Sequence, residues 1–378
     1  MQSKIRQDLF TRNALDSDVI LEKALRLGSD YLPSGWQLLE KTEVTVTQIT
    51  GGQSNLLFLA SSDSKKLAAE TPSCFLIRIH CQPASQVFSD TVIFSVLSER
   101  GLGPKLYGFF DGGRLEEYLP SRTLDVDNII DPQIAARVGA LFPKYHAIDV
   151  PIRKSPGAVR FIRQNLEDYK KLGGGTHIMR PNSVSYENED KLKELTIEQF
   201  EKEIEIFEKW ASVLDDTLVF SHNDLTPLNV LELNETKELV FIDFEYACYN
   251  WRGFDLSMHL CENAFDYRVP PPGVRIDQQF IENHPNLRTI CAAYVETLHR
   301  MNGISGDQEA DIEKLVMECE FFVPFVNLFW AVWSLKQNAA KHDNGHDLEV
   351  AASDRMTLYY HFKPRSEKIY EQFLNMST

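Results

Sequence analysis

The stretch VFSHNDLTPLN, residues 219–229, is the part of the sequence that best predicts the fold. It begins with a short apolar segment, and the polar run that follows contains the spacing H-x-D-x-x-x-x-N, in which Asp224 and Asn229 carry the reactive groups. Fourteen residues after Asn229, a second apolar segment runs into FIDFE (241–245), so that Asp243 and Glu245 lie at a strand end. The pattern predicts one polar site after two neighbouring strands.

These residue types are the set that phosphoryl transfer requires. The reaction needs a base for the attacking hydroxyl and oxygen ligands for magnesium, and little covalent help from the protein. In protein kinases the Asp of the catalytic loop accepts the hydroxyl proton, while the loop Asn and the Asp that precedes a Phe bind Mg²⁺. By role, Asp224 is then the base, and Asn229 and Asp243 are metal ligands. We therefore predict a kinase-like phosphotransferase.

The first 120 residues or so predict a small sheet with one main helix. Residues 1–40 favour helix with a break at Pro33-Ser34-Gly35, and two strands then flank the glycine-rich turn 51–55. The segment CFLIRIH (74–80) alternates in the manner of a strand, and a helical period over 85–100 joins Phe88, Val92 and Val96 in one stripe, with Ile93 and Leu97 alongside. Strand-like pieces follow at 104–109 and 114–120, joined by a turn at Asp111-Gly112-Gly113.

Three features of this region suit a nucleotide phosphate chain. Glycines in the 51–55 turn let backbone N–H groups approach phosphates closely, which selects Gly51, Gly52, Ser54 and Asn55. Arg78, in the middle of a strand, is a candidate clamp for the phosphates, and Asp90 on the next helix is a candidate partner that orients it. Each feature alone also fits a plain hairpin or a surface ion pair, but their order along the chain favours a phosphotransferase.

After Pro120 the pattern becomes mainly helical. Residues 196–214 show a capping box at Thr196 and Gln199 followed by apolar residues at helical spacing, whereas 155–195 is mixed and polar with a flexible loop expected at 173–175. The apolar run 321–335 contains Pro324 and is shorter than the roughly 20 residues that cross a bilayer, so we expect a buried helix. The predicted fold is α+β, with a small sheet-containing lobe over 1–119 and a larger helical lobe over 120–378.

Composition narrows the class of partner. Thirty-nine Lys and Arg against 55 Asp and Glu give a net charge of −16, which disfavours nucleic acid. Six scattered cysteines show no C-x-x-C spacing and indicate neither a zinc site nor a disulfide framework. The polar N-terminal sequence lacks an apolar secretory region. A cytosolic protein without membrane insertion is expected.

Two longer stretches extend the interpretation, IDFEYACYNWRGFDLSMHLCENAFDY (242–267) and GPKLYGFFDGGRLEEYLPSR (103–122). Together with SHNDLTPLN they resemble the choline/ethanolamine kinase family, from about Gly51 to Tyr370. The resemblance implies a two-lobed protein-kinase-like fold, ATP with Mg²⁺, and phosphorylation of the hydroxyl of choline or ethanolamine in the cytoplasm. It also implies a homodimer and a place at the first step of phosphatidylcholine synthesis by the CDP-choline route.

The resemblance implies a role for each matching position. Asp224 would be the catalytic base, with Asn229 and Asp243 as metal ligands, Glu245 near a second metal and Arg78 on the phosphates. The backbone around Glu116 would meet the adenine, through Glu117, Tyr118 and Leu119. The amino-alcohol positions are Tyr246, Glu262, Tyr267, Trp330 and Trp333. Independently, Trp330 and Trp333 stand at i, i+3 on one helix face, and Trp rings are the best cation–π partners for quaternary ammonium.

Other polar residues of these motifs have supporting roles in this interpretation. We expect Arg252 and Asp255 to brace the catalytic loop, and His146, His222 and His259 to be hydrogen-bonded structural groups. Four positions depart from the family pattern. They are Asp90 in place of a Glu, Thr226 in place of a Gln, Met258 in place of an Asn, and the absence of an aromatic residue near Val350.

Two alternatives stay open at the level of sequence. The first is a kinase of the same fold for another small hydroxyl compound, such as an aminoglycoside. The second is a catalytically weak regulatory paralogue, which the departures at Asp90, Met258 and Val350 would favour.

Overall fold

The protein is described by a computed structural model that covers residues 17–33, 35–49, 55–81, 84–185, 192–269, 274–341 and 347–376. The chain forms two compact units. The first comprises residues 1–121 with 233–235, and the second comprises 122–232 with 236–378. The division after Ser121 lies two residues beyond the boundary expected from the sequence.

The first unit contains an antiparallel five-stranded sheet in the order β1-β2-β3-β5-β4. Its strands are β1 Thr45–Ile49, β2 Asn55–Ser61, β3 Cys74–His80, β4 Leu106–Phe110 and β5 Gly113–Glu116. Its α-helices are α1 Ser17–Tyr31 and α2 Ala84–Glu99, and two short 3₁₀ turns lie at Trp36–Leu38 and Lys41–Glu43.

The alternation of residues along β3 buries apolar side chains on one face of the strand, as the sequence predicts. Phe75 and Ile77 are fully buried, and the Phe75 ring packs edge-on against Trp36 at 4.9 Å between centroids. Arg78 lies opposite Leu57 on one side and Arg114 on the other, so the central strand carries a cation between two paired neighbours. Strand pairing on both sides thus fixes the position of Arg78 on the sheet.

Two expectations for this unit were wrong in detail. The buried stripe of α2 runs through Ile93 and Leu97, whereas Phe88, which was expected to share the buried face, is 72% exposed. Adjacent apolar residues on one helix define two possible stripes, and packing selects between them. The strand expected over 114–120 ends at Glu116, because the sheet pairing of β5 stops there.

The second unit is mainly helical. Its helices are α3 Val126–Ile129, α4 Pro132–His146, α5 Gly157–Lys171, α6 Ile197–Ala211, α7 Arg252–Glu262, α8 Gln278–Glu282, α9 Leu287–Asn302, α10 Glu309–Ala339 and α11 Leu348–Met376. Short strands connect them, with β6 at the unit boundary: β6 Ser121–Thr123, β7 His177–Ile178, β8 Glu194–Leu195, β9 Leu218–Ser221, β10 Val230–Leu233, β11 Leu239–Phe241, β12 Cys248–Trp251, β13 Phe265–Asp266 and β14 Arg275–Ile276. They pair as β11-β10-β6, β12-β9, β13-β14 and β7-β8.

Helix α6 begins where the sequence predicts. The Thr196 hydroxyl accepts the backbone N–H of Gln199, and the Gln199 side chain accepts the N–H of Thr196 in return. The region 155–195 is more regular than expected, since it contains the four-turn helix α5, whose buried face includes Ile162 and Leu166. Its charged residues occupy the opposite face, which explains the polar composition.

The core of the second unit is built on α10. Among the described residues this is the one helix long and apolar enough to cross a membrane, and 78% of its most apolar window is buried within the protein. Phe321, Phe322 and Phe325 have no exposed surface, and Phe325 stacks on Phe207 of α6 at 4.4 Å. The buried helix expected around Pro324 is confirmed, and it supports α7, which follows the FIDFE segment.

Helices α7 and α10 are held at a close approach by Gly253. A Cβ at this position would lie 2.8 Å from the Cβ of Glu318 and 3.0 Å from its carbonyl group. We expect Gly253→Ala to lower the free energy of unfolding by about 1–3 kcal/mol through overpacking, although an Ala in a helix interior is by itself preferred by about 1 kcal/mol. Chemical denaturation measures the change.

Gly175→Ala is the matched control, because a Cβ there meets no atom within 4 Å. It should leave the unfolding free energy within about 1 kcal/mol of the parent. Equal stabilities for the two variants would contradict the close packing of α7 on α10.

Candidate active site

The catalytic loop is anchored by the buried carboxylate of Asp255. Asp255, on α7, accepts the backbone N–H of His222 at 2.8 Å and that of Asn223 at 2.6 Å, and it also contacts His146 Nε2 at 3.1 Å. Asn223 has a left-handed backbone with φ of 64°. The loop therefore turns sharply just before Asp224, and two N–H groups that would otherwise be buried without acceptors are satisfied.

The ionised form of Asp255 is favoured in this setting. Burial alone would raise the pKa of Asp255, but the hydrogen bond and charge of His146, together with His222 and the Asn223 N–H, hold that pKa below its usual value. The bracing role expected for Asp255 thus has a geometric basis. Arg252 acts elsewhere: it makes two hydrogen bonds to Glu318, at 2.8 and 2.7 Å, and so joins α7 to α10 rather than touching the loop.

The loop and the FIDFE segment are joined through backbone and side-chain hydrogen bonds. Asn229 donates Nδ2–H to the carbonyl of Asp224 at 2.8 Å, and its own carbonyl accepts the N–H of Ile242 at 3.0 Å. His222 Nε2 lies 2.8 Å from the Ile242 carbonyl. Asp243 follows with a φ of 65°. Asp224, Asn229 and Asp243 are therefore held by one network, in which the Oδ1 of Asn229 is the atom available to a metal.

Asp224 lies in a strongly acidic environment. Burial, followed by the charges of Asp243, Glu262 and Glu245, raises the pKa of Asp224 well above its usual range. Within the described residues, no group of three or more His, Cys, Asp or Glu side chains is close enough to form a metal site by itself. Excess negative charge with an amide oxygen and a carboxylate fits Mg²⁺, which keeps several waters and binds through one or two carboxylates plus phosphate oxygens.

The predicted aromatic residues come together on one side of α10. The rings of Trp330 and Trp333 lie 5.4 Å apart, and Tyr246 packs edge-on against Trp330 at 5.3 Å. Burial raises the pKa of Tyr246 well above its usual value, and Trp333 opposes that rise. Phe161 of α5 packs on Tyr246 at 5.6 Å, a contact for which the sequence of the 155–195 region provides no signal. Tyr246 therefore lies between the rings of Trp330 and Phe161, and contacts both.

Met258, which stands where the family pattern has an Asn, holds the ring of Trp330. Its sulfur lies 2.9 Å from the indole Nε1 of Trp330 and accepts that N–H. A buried indole N–H without an acceptor would be costly, so the thioether sets the ring orientation. His259, on the same helix, holds the Leu225 carbonyl at 2.9 Å through Nδ1, as expected of a structural histidine.

Glu262 is engaged by other residues of the chain. Its two carboxylate oxygens accept from Tyr267 at 2.7 Å and from Arg355 at 2.6 Å. Sequence reasoning missed Arg355 entirely, because it lies 93 positions from Glu262 in an unremarkable stretch of α11. Only the tertiary structure brings the ends of α7 and α11 near enough for these two charges to pair.

Two of the nucleotide-binding residues predicted in the first unit have partners other than those expected. Asp90 pairs with Arg114, and Arg78 donates Nε–H to Glu116 at 2.5 Å, so Asp90 is not the partner expected. Glu116 also accepts from Arg114 at 2.6 Å and is only 2% exposed. Although burial alone would raise it, the guanidinium groups of Arg78 and Arg114 lower the pKa of Glu116. Glu116 therefore orients the candidate phosphate clamp.

The other described nucleotide positions lie at the start of β2 or just after the end of β5. Glu117 exchanges hydrogen bonds with the backbone of Lys105, at 2.8 and 3.0 Å, while Tyr118 and Leu119 are half-buried. Asn55 begins β2 opposite His80 and is 7% exposed. Gly51, Gly52 and Ser54 lie outside the described residues.

The sheet-bearing first unit and the helical second unit, with an H-x-D loop beside an acidic strand end, define a kinase-like phosphotransferase. A family model described as choline/ethanolamine kinase matches residues 46–360. Choline kinase B2 of Caenorhabditis elegans is 48% identical over 369 residues, covering 97% of this chain and 98% of that protein. The choline/ethanolamine kinase of Homo sapiens is 27% identical over 88% of this chain and 84% of its own.

Comparison with solved structures supports the same fold. A crystal structure of choline kinase from Cryptosporidium parvum has a TM-score of 0.70 at 21% identity, covering 96% of this chain and 99% of that one. The predicted two-lobed kinase-like fold class is thereby confirmed. The chain belongs to the choline/ethanolamine kinase family.

The anchoring role of Asp255 has a testable pH dependence. Because folding holds its pKa below the unfolded value, the ionised carboxylate stabilises the protein above about pH 4, and the contribution is lost as pH falls through the folded pKa. Asp255→Asn should therefore cost roughly 2–4 kcal/mol of unfolding free energy at neutral pH. The gap to the parent should narrow toward acid pH in denaturation curves.

Asp127→Asn is the control, since Asp127 is exposed and pairs only with an exposed Arg268. This change should alter stability by less than about 1 kcal/mol. A pH-independent difference for Asp255→Asn would show that its carboxylate charge does not hold the loop.

Proposed function

We propose that the protein transfers the γ-phosphoryl group of ATP to the hydroxyl of choline, with ethanolamine as a poorer substrate. Membership of the choline/ethanolamine kinase family supports this reaction, and the observation that carries it is the network joining Asp224, Asn229 and Asp243. The product with choline is phosphocholine, the first intermediate of phosphatidylcholine synthesis by the CDP-choline route.

Asp224 is the base in this proposal. Its carboxylate accepts the proton of the substrate hydroxyl as the oxygen attacks phosphorus, which is the role that kinase chemistry gives to this position. Asp255 supports that role indirectly by shaping the two residues before Asp224. The left-handed turn at Asn223 directs the base to a defined position on the loop.

Asn229 and Asp243 are the groups proposed to hold Mg²⁺, with Glu245 close to the same acidic cluster. When bound, Mg²⁺ neutralises charge on the phosphate oxygens during transfer. In the first unit, Arg78, oriented by Glu116, is proposed to bind the phosphates of ATP. The backbone near Glu117, Tyr118 and Leu119 is proposed to contact the adenine.

The aromatic cluster is proposed to bind the ammonium group of the substrate. Trp330 and Tyr246 pack edge-on against each other beside α10, and the hydrogen bond from Trp330 to Met258 holds the larger ring in place. Quaternary ammonium has no N–H donor, so ring faces are its best partners. A homodimer in the cytoplasm remains a prediction from the family resemblance.

The first test removes the base. Asp224→Asn should lower kcat by about 10²–10⁴-fold, because proton acceptance is lost while the loop keeps its shape. Steady-state phosphorylation of choline and ethanolamine with Mg·ATP is the measurement, and circular dichroism confirms folding. Parent protein that turns over neither amino alcohol, or a variant with unchanged kcat, would contradict the proposal.

The second test concerns the ring faces. Trp330→Leu should raise the KM for choline roughly tenfold, which corresponds to the loss of one desolvated cation–π contact, with little change in kcat. Trp330→Phe, which keeps an aromatic face, should retain most of the affinity. A leucine variant with the parental choline KM would remove this ring from the binding site.

A further inference from the structure

Arg355 is a buried cation among the residues proposed to bind the amino alcohol. It lies on α11 and is 6% exposed. Its Nη2 lies 2.6 Å from Glu262 Oε1 and 3.2 Å from the Tyr267 hydroxyl, and its guanidinium covers the Phe265 ring at 4.0 Å. Two of its partners, Glu262 and Tyr267, are positions that the family resemblance assigns to the substrate.

The contacts of Glu262 leave little of its charge for a ligand. One carboxylate oxygen accepts from Arg355 and the other from Tyr267, and the residue is 1% exposed. An adjacent guanidinium in a low-dielectric interior neutralises the carboxylate much more completely than solvent would. A substrate ammonium would therefore meet an ion pair rather than a free anion.

The other end of the guanidinium is not satisfied. Arg355 Nη1 is buried and has no hydrogen-bond partner among the described residues. A buried charged donor without an acceptor is costly, and purely structural ion pairs are normally fully bonded.

We propose that Arg355 is a specificity-determining residue, which sequesters Glu262 so that the substrate ammonium is recognised by aromatic rings and not by a carboxylate. This inference rests on the proposed function, because it refines the choice of alcohol at the same site. Nothing in the sequence motifs assigns this role to Arg355.

The consequence differs between the two amino alcohols. The trimethylammonium group of choline cannot donate a hydrogen bond and is bound well by ring faces such as those of Trp330 and Tyr246. The primary ammonium of ethanolamine has three N–H donors that need acceptors, and a carboxylate would be the strongest of them. Sequestering Glu262 therefore disfavours ethanolamine more than choline.

The test compares three alcohols on the full-length protein. Calorimetry without ATP, at neutral pH, measures the binding of choline, ethanolamine and 3,3-dimethylbutan-1-ol. The last of these is the uncharged isostere of choline. Arg355→Met frees Glu262, so the preference for choline over ethanolamine should shrink about tenfold, the equivalent of one hydrogen bond to a charged group. Affinity for the neutral isostere should not improve.

Two further variants separate charge from packing. Arg355→Lys keeps a cation beside Glu262 and should retain the parental order of the three ligands. Arg365→Met removes a surface arginine of the same helix, which pairs with Glu320, and should change none of the affinities. Each preference is a ratio within one protein, so a modest loss of stability does not alter the comparison.

The outcomes distinguish a failure of the role of Arg355 from a failure of the proposed reaction. Unchanged ligand ratios in Arg355→Met, or an equal loss for all three alcohols, would overturn the specificity role and leave Arg355 as a structural brace. If Arg355→Met alters the binding ratios but the parent protein phosphorylates neither amino alcohol, the role of Arg355 is supported and the proposed reaction is overturned. A parent protein that binds neither amino alcohol would overturn both.

Discussion

The carboxylate of Asp255 is the group on which the rest of the active site depends. It is 1% exposed, it accepts the N–H groups of His222 and Asn223, and it contacts His146. His146 in turn lies 2.9 Å from the Tyr294 hydroxyl, so the anchor extends to α9. Without this acceptor, the left-handed turn before Asp224 would bury two unsatisfied N–H groups. The position of the base follows from that constraint.

The two units surround a buried carboxylate with charge in opposite ways. In the first, Glu116 lies between Arg78 and Arg114, which compensate the cost of burying it. In the second, several acids surround Asp224 and Arg355 opposes them. The first cluster orients Arg78, the proposed phosphate ligand, whereas the second is where a divalent metal and a cationic alcohol are proposed to bind. Part of the net charge of −16 therefore lies in this second cluster.

Local patterns predicted much of the structure because their causes are local. The alternation of CFLIRIH specified β3, the Thr196 and Gln199 pair specified the start of α6, and the apolar run at Pro324 specified a core helix. For α2 the helical period groups Phe88 with Ile93 and Leu97, and only packing shows that Phe88 is exposed while the other two are buried. Helix α5 was not predicted because the charged residues on its exposed face make the whole segment polar in composition.

The sequence by itself determined the class of chemistry, because the spacing from His222 to Asn229 and the Asp243 strand end place reactive groups on adjacent segments of chain. Tertiary structure decided how charges and rings are paired. Asp90 bonds Arg114, Met258 holds Trp330, and Arg355 takes Glu262. Such pairings join residues 24 to 93 positions apart. They depend on which strands and helices meet, and hydrophobic periodicity sets the buried face of an element without setting its partner.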